Sequence, residues 1–285
     1  MKKLKPYLEL CKINLSLFSA LSAATGFVLA RSVLTTEIIG TAAGVFLLAC
    51  GSCALNQYQE RRTDALMERT KNRPLPSGRI KPVYALRASL LLLIAGLLIL
   101  VFSNNLPVIL LAVCAVILYN GVYTHLKRKT AFASVPCAVI GALPPAIGWF
   151  AGGGRLQDPK ILFVCFLFYI WQITHFWLLF LSHGDDYKRA GLPSLTDLFS
   201  QKQLVRIVFI WILATAVTCL LTTLFGLMTS SIADLLLVLV TVWLLWNGVK
   251  LIREAGNRFT YHFAFNRMNI YILLVMSLLS IDRVI

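Results

Sequence analysis

The run Val83-Tyr-Ala-Leu-Arg87-Ala-Ser-Leu-Leu-Leu-Leu-Ile-Ala-Gly96-Leu-Leu-Ile-Leu-Val-Phe-Ser103 carries one charged residue, Arg87, close to its start. A bilayer with a hydrocarbon core about 30 Å thick is spanned by roughly 20 apolar residues in a helix. This stretch meets that length. Eight others meet it or nearly so, at about 14–31, 37–56, 106–124, 131–152, 161–182, 204–225, 231–250 and 266–282. All nine are expected to be helices, because open sheet edges have no hydrogen-bond partners in lipid.

Composition supports the same reading. Of 285 residues, 58% are hydrophobic and only 14% charged, with a mean hydropathy of +0.77. A soluble domain is about a quarter charged. A chain this poor in charge cannot clothe a water-facing surface, so lipid is its main solvent. It opens Met1-Lys2-Lys3 on an amphipathic stretch. No small-residue cleavage site follows the first apolar run, so no cleavable signal peptide is expected.

Charge then orients the spans. All but Arg31, Arg155, Lys160 and Arg283 of the 27 Lys and Arg residues fall on one side of a nine-span alternation. The positive-inside rule puts that side, with the N-terminus, in the cytoplasm and the C-terminus outside. The net charge of +15 therefore reports topology, and nucleic acid is not an expected partner. The seven cysteines fall mostly within apolar spans and form no disulfide framework. Cys50 and Cys53 have redox-motif spacing, but they sit inside the second span, where small residues at a helix interface explain them more simply.

Function is sought where polar residues interrupt the apolar pattern. Five of the 12 acidic residues fall in two segments on the basic side: Glu60, Asp64 and Glu68, and then Asp185 and Asp186. Asn56, Glu60 and Asp64 are spaced i, i+4, i+8. If the second helix continues past the membrane edge, all three share one face. Oxygen-bearing side chains on one stripe suit Mg²⁺, a hard cation that often shares its ligands with phosphates. Arg69, Lys71 and Arg73 follow directly and suit phosphate oxygens. The Arg73-Pro74 step and Pro76-Ser77-Gly78 are expected to end the helix. Asp185 and Asp186 are expected in a loop marked by Gly184, Gly191 and Pro193. A transporter is the alternative of another class, but it would spread ionisable groups along a transmembrane path, and these carboxylates gather at one face.

The pattern Asn56-x3-Glu60-x3-Asp64, followed by Met67-Glu-Arg69-Thr-Lys71-Asn-Arg73-Pro74, resembles the first signature of the UbiA-type intramembrane prenyltransferases. Tyr123-Thr-His-Leu-Lys127-Arg128-Lys-Thr130, Gly141-Ala-Leu-Pro144-Pro145-Ala-Ile-Gly148-Trp149, His175-Phe176-Trp177 and Asp185-Asp186-Tyr187-Lys-Arg-Ala190-Gly191-Leu-Pro193 resemble the protoheme IX farnesyltransferase branch of that family. The resemblance covers nearly the whole chain. It implies a single all-α domain over residues 1–285, with nine helices around an apolar chamber that opens at the cytoplasmic face of a bacterial inner membrane.

The implied reaction joins farnesyl diphosphate to a vinyl group of heme b. Carried over position by position, Asn56, Glu60, Asp64 and Asp185 would bind Mg²⁺ and diphosphate, with Asp186 sharing that role. Lys12, Arg69, Lys71, Arg73 and Lys127 would contact the diphosphate. His175 is the candidate heme contact, since an imidazole can ligate heme iron. An aromatic quinone precursor is the alternative acceptor, and a downstream partner in heme processing or oxidase assembly fits the same branch. The chain departs from the family at Glu60, more often Asp; at Ser182-His183-Gly184, where a basic residue is usual; at Arg189; and at Leu192-Pro193-Ser194-Leu195-Thr196.

Overall fold

The structure, a computed structural model, describes residues 4–254 and 258–285. Lys2, Lys3 and the side chain of Arg258, counted above on the basic side, lie outside what is described. Among the described residues nine helices are long and apolar enough to cross a membrane. They are α1 (Ile13–Arg31), α2 (Glu37–Asp64), α3 (Pro82–Ser103), α4 (Leu106–Leu126), α5 (Ala131–Ala151), α6 (Pro159–Arg189), α7 (Gln201–Leu220), α8 (Ser231–Arg253) and α9 (Arg258–Val284).

Hydropathy finds the apolar core of each helix and misses the polar extensions. Thus α2 continues eight residues beyond the expected 56, as far as Asp64. It stops there and not at the Arg73-Pro74 step: the Thr70 hydroxyl donates to the Asp64 carbonyl at 2.8 Å, folding the chain back. The expected loop around Asp185 and Asp186 is helix instead. α6 breaks at His183 (φ −133°, ψ 22°) and then resumes to Arg189. Gly184 lets that break pack closely, since a Cβ there would stand 2.5 Å from Thr196 Cγ2.

Lipid supplies no hydrophobic drive between helices, so close backbone approach has to hold them together. α1 meets α5 through Gly26 and Gly148. A Cβ on Gly26 would lie 2.0 Å from the Pro145 carbonyl oxygen, and one on Gly148 would lie 1.7 Å from the Ala23 carbonyl oxygen. α2 meets α3 in the same way, Gly44 and Leu48 against Gly96. α6 to α9 share the largest buried apolar cluster, containing Phe168, Val208, Leu237 and Tyr271. The Tyr271 hydroxyl finds Thr241 Oγ1 at 3.1 Å, which satisfies it in the packed interior. That half of the bundle is packed around this cluster. The other half, built by α1, α2, α4, α5 and α6, surrounds a cavity.

The alternation of spans gathers Arg31, Arg155, Lys160 and Arg283 at one end of the bundle with the α7–α8 turn, where Arg283 Nη2 reaches the Gly226 carbonyl. The opposite end carries the two acidic segments.

Candidate active site

Asn56, Glu60 and Asp64 lie on one stripe of α2 and are 3%, 6% and 4% exposed. Burying two carboxylates demands compensation. Asp64 Oδ2 accepts from Arg73 Nη1 at 2.8 Å, and Glu60 pairs with the Lys127 ammonium. Asn56 Nδ2 donates to Thr124 Oγ1 at 3.1 Å, leaving the amide oxygen for another partner. The three side chains therefore offer oxygen donors alone, the set that suits a hard divalent cation. Among the described residues no three Asp, Glu, His or Cys side chains converge, so a cation held by this stripe would depend on the Asn56 amide as well as on the carboxylates.

The second acidic segment meets the first, but through the backbone. Asp186 is buried, and its two carboxylate oxygens accept from the Glu68 and Arg69 amides, each at 3.1 Å. It thereby ties down the turn after α2 that carries Arg69 and Arg73. Asp185 is exposed and lies off the cavity wall. Lys71 is exposed too and pairs with Glu68 at 2.5 Å. Arg69, Arg73, Lys127 and Lys12 all line the cavity.

Lys12 reaches the wall through an unusual backbone. A short helix, Lys5–Leu10, ends two residues before α1 begins, and Lys12 between them has φ 46°, ψ 57°. A non-glycine residue in this left-handed region costs of order 1–3 kcal/mol, and such strain tends to collect at functional sites. Burial holds the Lys12 ammonium below its ordinary range. Arg73 and Lys127 push the same way, and Cys53 and Glu60 oppose them.

From this charged mouth the cavity runs between the helices to Val45 and Leu48. Val45 precedes Asp64 by 19 positions on one helix, about 28 Å at 1.5 Å per residue. The deeper walls are mainly apolar, with Phe18, Leu48, Ala112, Ile147 and Trp171, beside the polar Ser19, Ser22 and Gln172. Tyr119 and Tyr123 stand between the two regions on a π-helical segment, Ile117–Tyr123. Insertions of this kind are frequent at functional sites, because the wider turn re-aims side chains. Sequence reasoning missed Tyr119, and it gave Tyr123, Arg128 and Tyr187 no role although they stand in the motifs quoted above. The signal for Tyr119 was its clustering with Asn120 and Tyr123 at the end of an apolar span. His175 lines the cavity from α6; its Nδ1 lies 2.8 Å from Asn269 Oδ1 on α9, and its ring packs on Trp171 and Phe265. The seven cysteines are free thiols, Cys53 among the cavity residues.

A cavity charged at its mouth, apolar within and ringed by helices suits an amphiphile with an anionic head. Residues 16–272 match the model of the UbiA prenyltransferase family. The chain belongs to that family. Similar curated UbiA-family proteins include the protoheme IX farnesyltransferase of Oleidesulfovibrio alaskensis, 34% identical over 93% of this chain and 92% of that protein. The protoheme IX farnesyltransferase of Geobacter sulfurreducens is 40% identical over 79% of this chain and 83% of its own length. Among solved structures, a digeranylgeranylglyceryl phosphate synthase superposes with a TM-score of 0.74 at 18% identity, covering 100% of this chain and 99% of that one. A UbiA homolog from Archaeoglobus fulgidus bound to DMAPP and Mg²⁺ superposes with a TM-score of 0.71 at 15% identity, covering 98% of each chain. These likenesses establish the UbiA fold, an all-α membrane prenyltransferase architecture.

Proposed function

We propose that this chain transfers the farnesyl group of farnesyl diphosphate to a vinyl group of heme b, giving heme O and diphosphate. The observation that carries the reading is the two-part cavity, basic and acidic at the mouth and apolar for the length of a prenyl tail, in a chain whose relatives are named for this reaction. Its mouth is assigned to the cytoplasmic face, where the basic loops gather.

The residues would work as follows. Asn56, Glu60 and Asp64 would hold the cation; Asp185 on α6, exposed and off the cavity wall, would have to turn inward to join them. Mg²⁺ supplies positive charge against the diphosphate as the allylic C1–O bond breaks. Lys127 and Arg73, paired here with Glu60 and Asp64, would exchange those carboxylates for phosphate oxygens. Arg69 and Lys12 add charge from either side of the mouth, with Lys71 an outlying candidate. This fixed positive environment stabilises the departing diphosphate without reorganisation. The apolar walls keep water from the allylic cation, and the faces of Tyr119 and Tyr123 stabilise it by cation–π attraction. A vinyl carbon of heme supplies the electron pair for the new bond to C1. Water then adds to the other vinyl carbon and loses a proton. Asn269, accepting from His175 Nδ1, leaves Nε2 as the nitrogen for heme contact.

The test is purified protein in lipid with farnesyl diphosphate, heme b and Mg²⁺, read by mass spectrometry. Farnesylated, hydroxylated heme is expected, with turnover lost on chelation and restored by added Mg²⁺. Prenylation of an aromatic quinone precursor, with none of heme, would overturn the acceptor. A separate expectation concerns the turn held by Asp186. Asp186→Ala frees two amides and loosens Arg69 and Arg73, so the KM for farnesyl diphosphate should rise about tenfold, the scale of losing charge-assisted hydrogen bonds. An unchanged KM would show that the turn holds itself.

A further inference from the structure

The end of the bundle opposite the acidic segments is poor in positive charge, holding Arg31, Arg155, Lys160 and Arg283 out of 27 Lys and Arg residues. Three of these four line one pocket, at the meeting of the α1 C-terminus, the α5–α6 loop and the end of α9. Arg31 alone is spent elsewhere, on Glu37.

The carboxylates of this end do not neutralise the three. Asp158 caps α6, accepting from the Lys160 amide at 2.9 Å. Asp282 is held by the Thr229 and Ser230 amides. Among the described residues Arg155, Lys160 and Arg283 have no carboxylate within ion-pair distance. Arg283 Nε is moreover buried without a hydrogen-bond partner, an expensive state for a guanidinium nitrogen.

The surroundings favour a phosphate at a lipid surface. The pocket sits at the ends of the spanning helices α1, α5, α6 and α9, the level at which such helices are expected to meet lipid headgroups. One side is apolar, with Leu29, Ala30 and Trp149. Trp149 is buried, and its Nε1–H donates to the Arg155 carbonyl at 3.1 Å, tying the loop to the helix core. Gly154 packs on that indole, where a Cβ would stand 2.1 Å from Nε1. The α5–α6 loop is therefore held in the shape that presents Arg155. The Arg155 and Arg283 guanidiniums, the latter with Nη2 also on the Gly226 carbonyl, and the Lys160 ammonium outnumber the one lining carboxylate, Asp158, and suit phosphate oxygens.

We propose that this pocket binds the phosphate of an anionic phospholipid from the leaflet opposite the charged mouth, anchoring the α1, α5, α6 and α9 ends together. The site is separate from the prenyl cavity and shares no lining residue with it.

The experiment is native mass spectrometry of the full chain released from micelles with phosphatidylglycerol or phosphatidylcholine. Parent protein should retain phosphatidylglycerol selectively, and Lys160→Gln/Arg283→Gln should bind one such lipid fewer, at least about tenfold more weakly, while prenyl transfer is kept. Arg155→Gln, an exposed change that leaves the helix ends untouched, should weaken the same lipid to a smaller degree and guards against misfolding of the double variant. Equal retention of phosphatidylglycerol by parent and both variants would overturn the proposal. So would equal retention of phosphatidylcholine. Inorganic phosphate that alone binds the parent and displaces the lipid at equal concentration would assign the site to free phosphate and overturn the lipid assignment.

Discussion

Asp64→Ala is expected to cut prenyl transfer by about 10²–10³-fold and to leave the bundle folded. Asp64 is the last residue of α2, 4% exposed and at the mouth of the cavity, and its carboxylate is held by Arg73. Removing a buried charge partner is normally severe, about 3–5 kcal/mol. Here the surviving charge is on Arg73, 20% exposed at the aqueous end, where water can solvate it. The loss should therefore fall on chemistry more than on folding. On the proposed reading, a cation there would lose one of three oxygen donors, and with it the positive charge set against the diphosphate would be held more weakly. One preorganised electrostatic contact of this kind is worth about 10²–10³ in turnover. The measurement is heme O formed per minute beside the detergent-solubilised melting curve. Turnover within a few-fold of wild type would remove Asp64 from the site. Asp64→Asn keeps the shape and removes the charge, so it should behave nearly as badly.

Gly148→Leu is the largest expected structural effect. The added Cβ alone would stand 1.7 Å from the Ala23 carbonyl oxygen, 2.6 Å from its carbon and 2.9 Å from the Phe27 amide nitrogen. Flexible side chains can give way, but these are backbone atoms of α1. The helices must separate, and the Gly26–Pro145 contact in the same interface opens with them. Overpacking typically costs about 1–3 kcal/mol, and displacing a helix along two close contacts belongs at or above the top of that range. The protein should lose monodispersity on size exclusion and melt well below the parent. Gly121→Ala is the control, because the nearest atom to a Cβ there is a side-chain carbon at 3.9 Å. If the two variants melt alike, close α1–α5 approach does not hold this fold.

Much of the architecture was legible because bilayer physics is simple. Twenty apolar residues and a biased set of basic loops allow few alternatives, and the nine spans follow from length, hydropathy and charge alternation. The stripe on α2 was legible for a similar reason: residues four apart share a helix face wherever the helix continues. The limits of that helix were not legible. Its end at Asp64 depends on Thr70 folding back, and the extension of α6 past His183 depends on packing against Thr196. Both lie beyond the apolar runs, where periodicity carries little signal.

The residues that chain order alone could nominate were Asn56, Glu60, Asp64 and their basic followers, chemically fit for phosphate and a hard cation. Tertiary structure decided which of them meet. It paired Glu60 with Lys127 from another loop and turned Asp186 onto the Glu68 and Arg69 amides. It left Asp185 and Lys71 at the surface, and it brought Tyr119 and Tyr123 to the wall through a π turn. The physical reason is that hydropathy and helical spacing are local properties of the chain. Which charges share a buried space is set by how helices distant in sequence pack, and a buried carboxylate can be accommodated only by the partners that packing supplies.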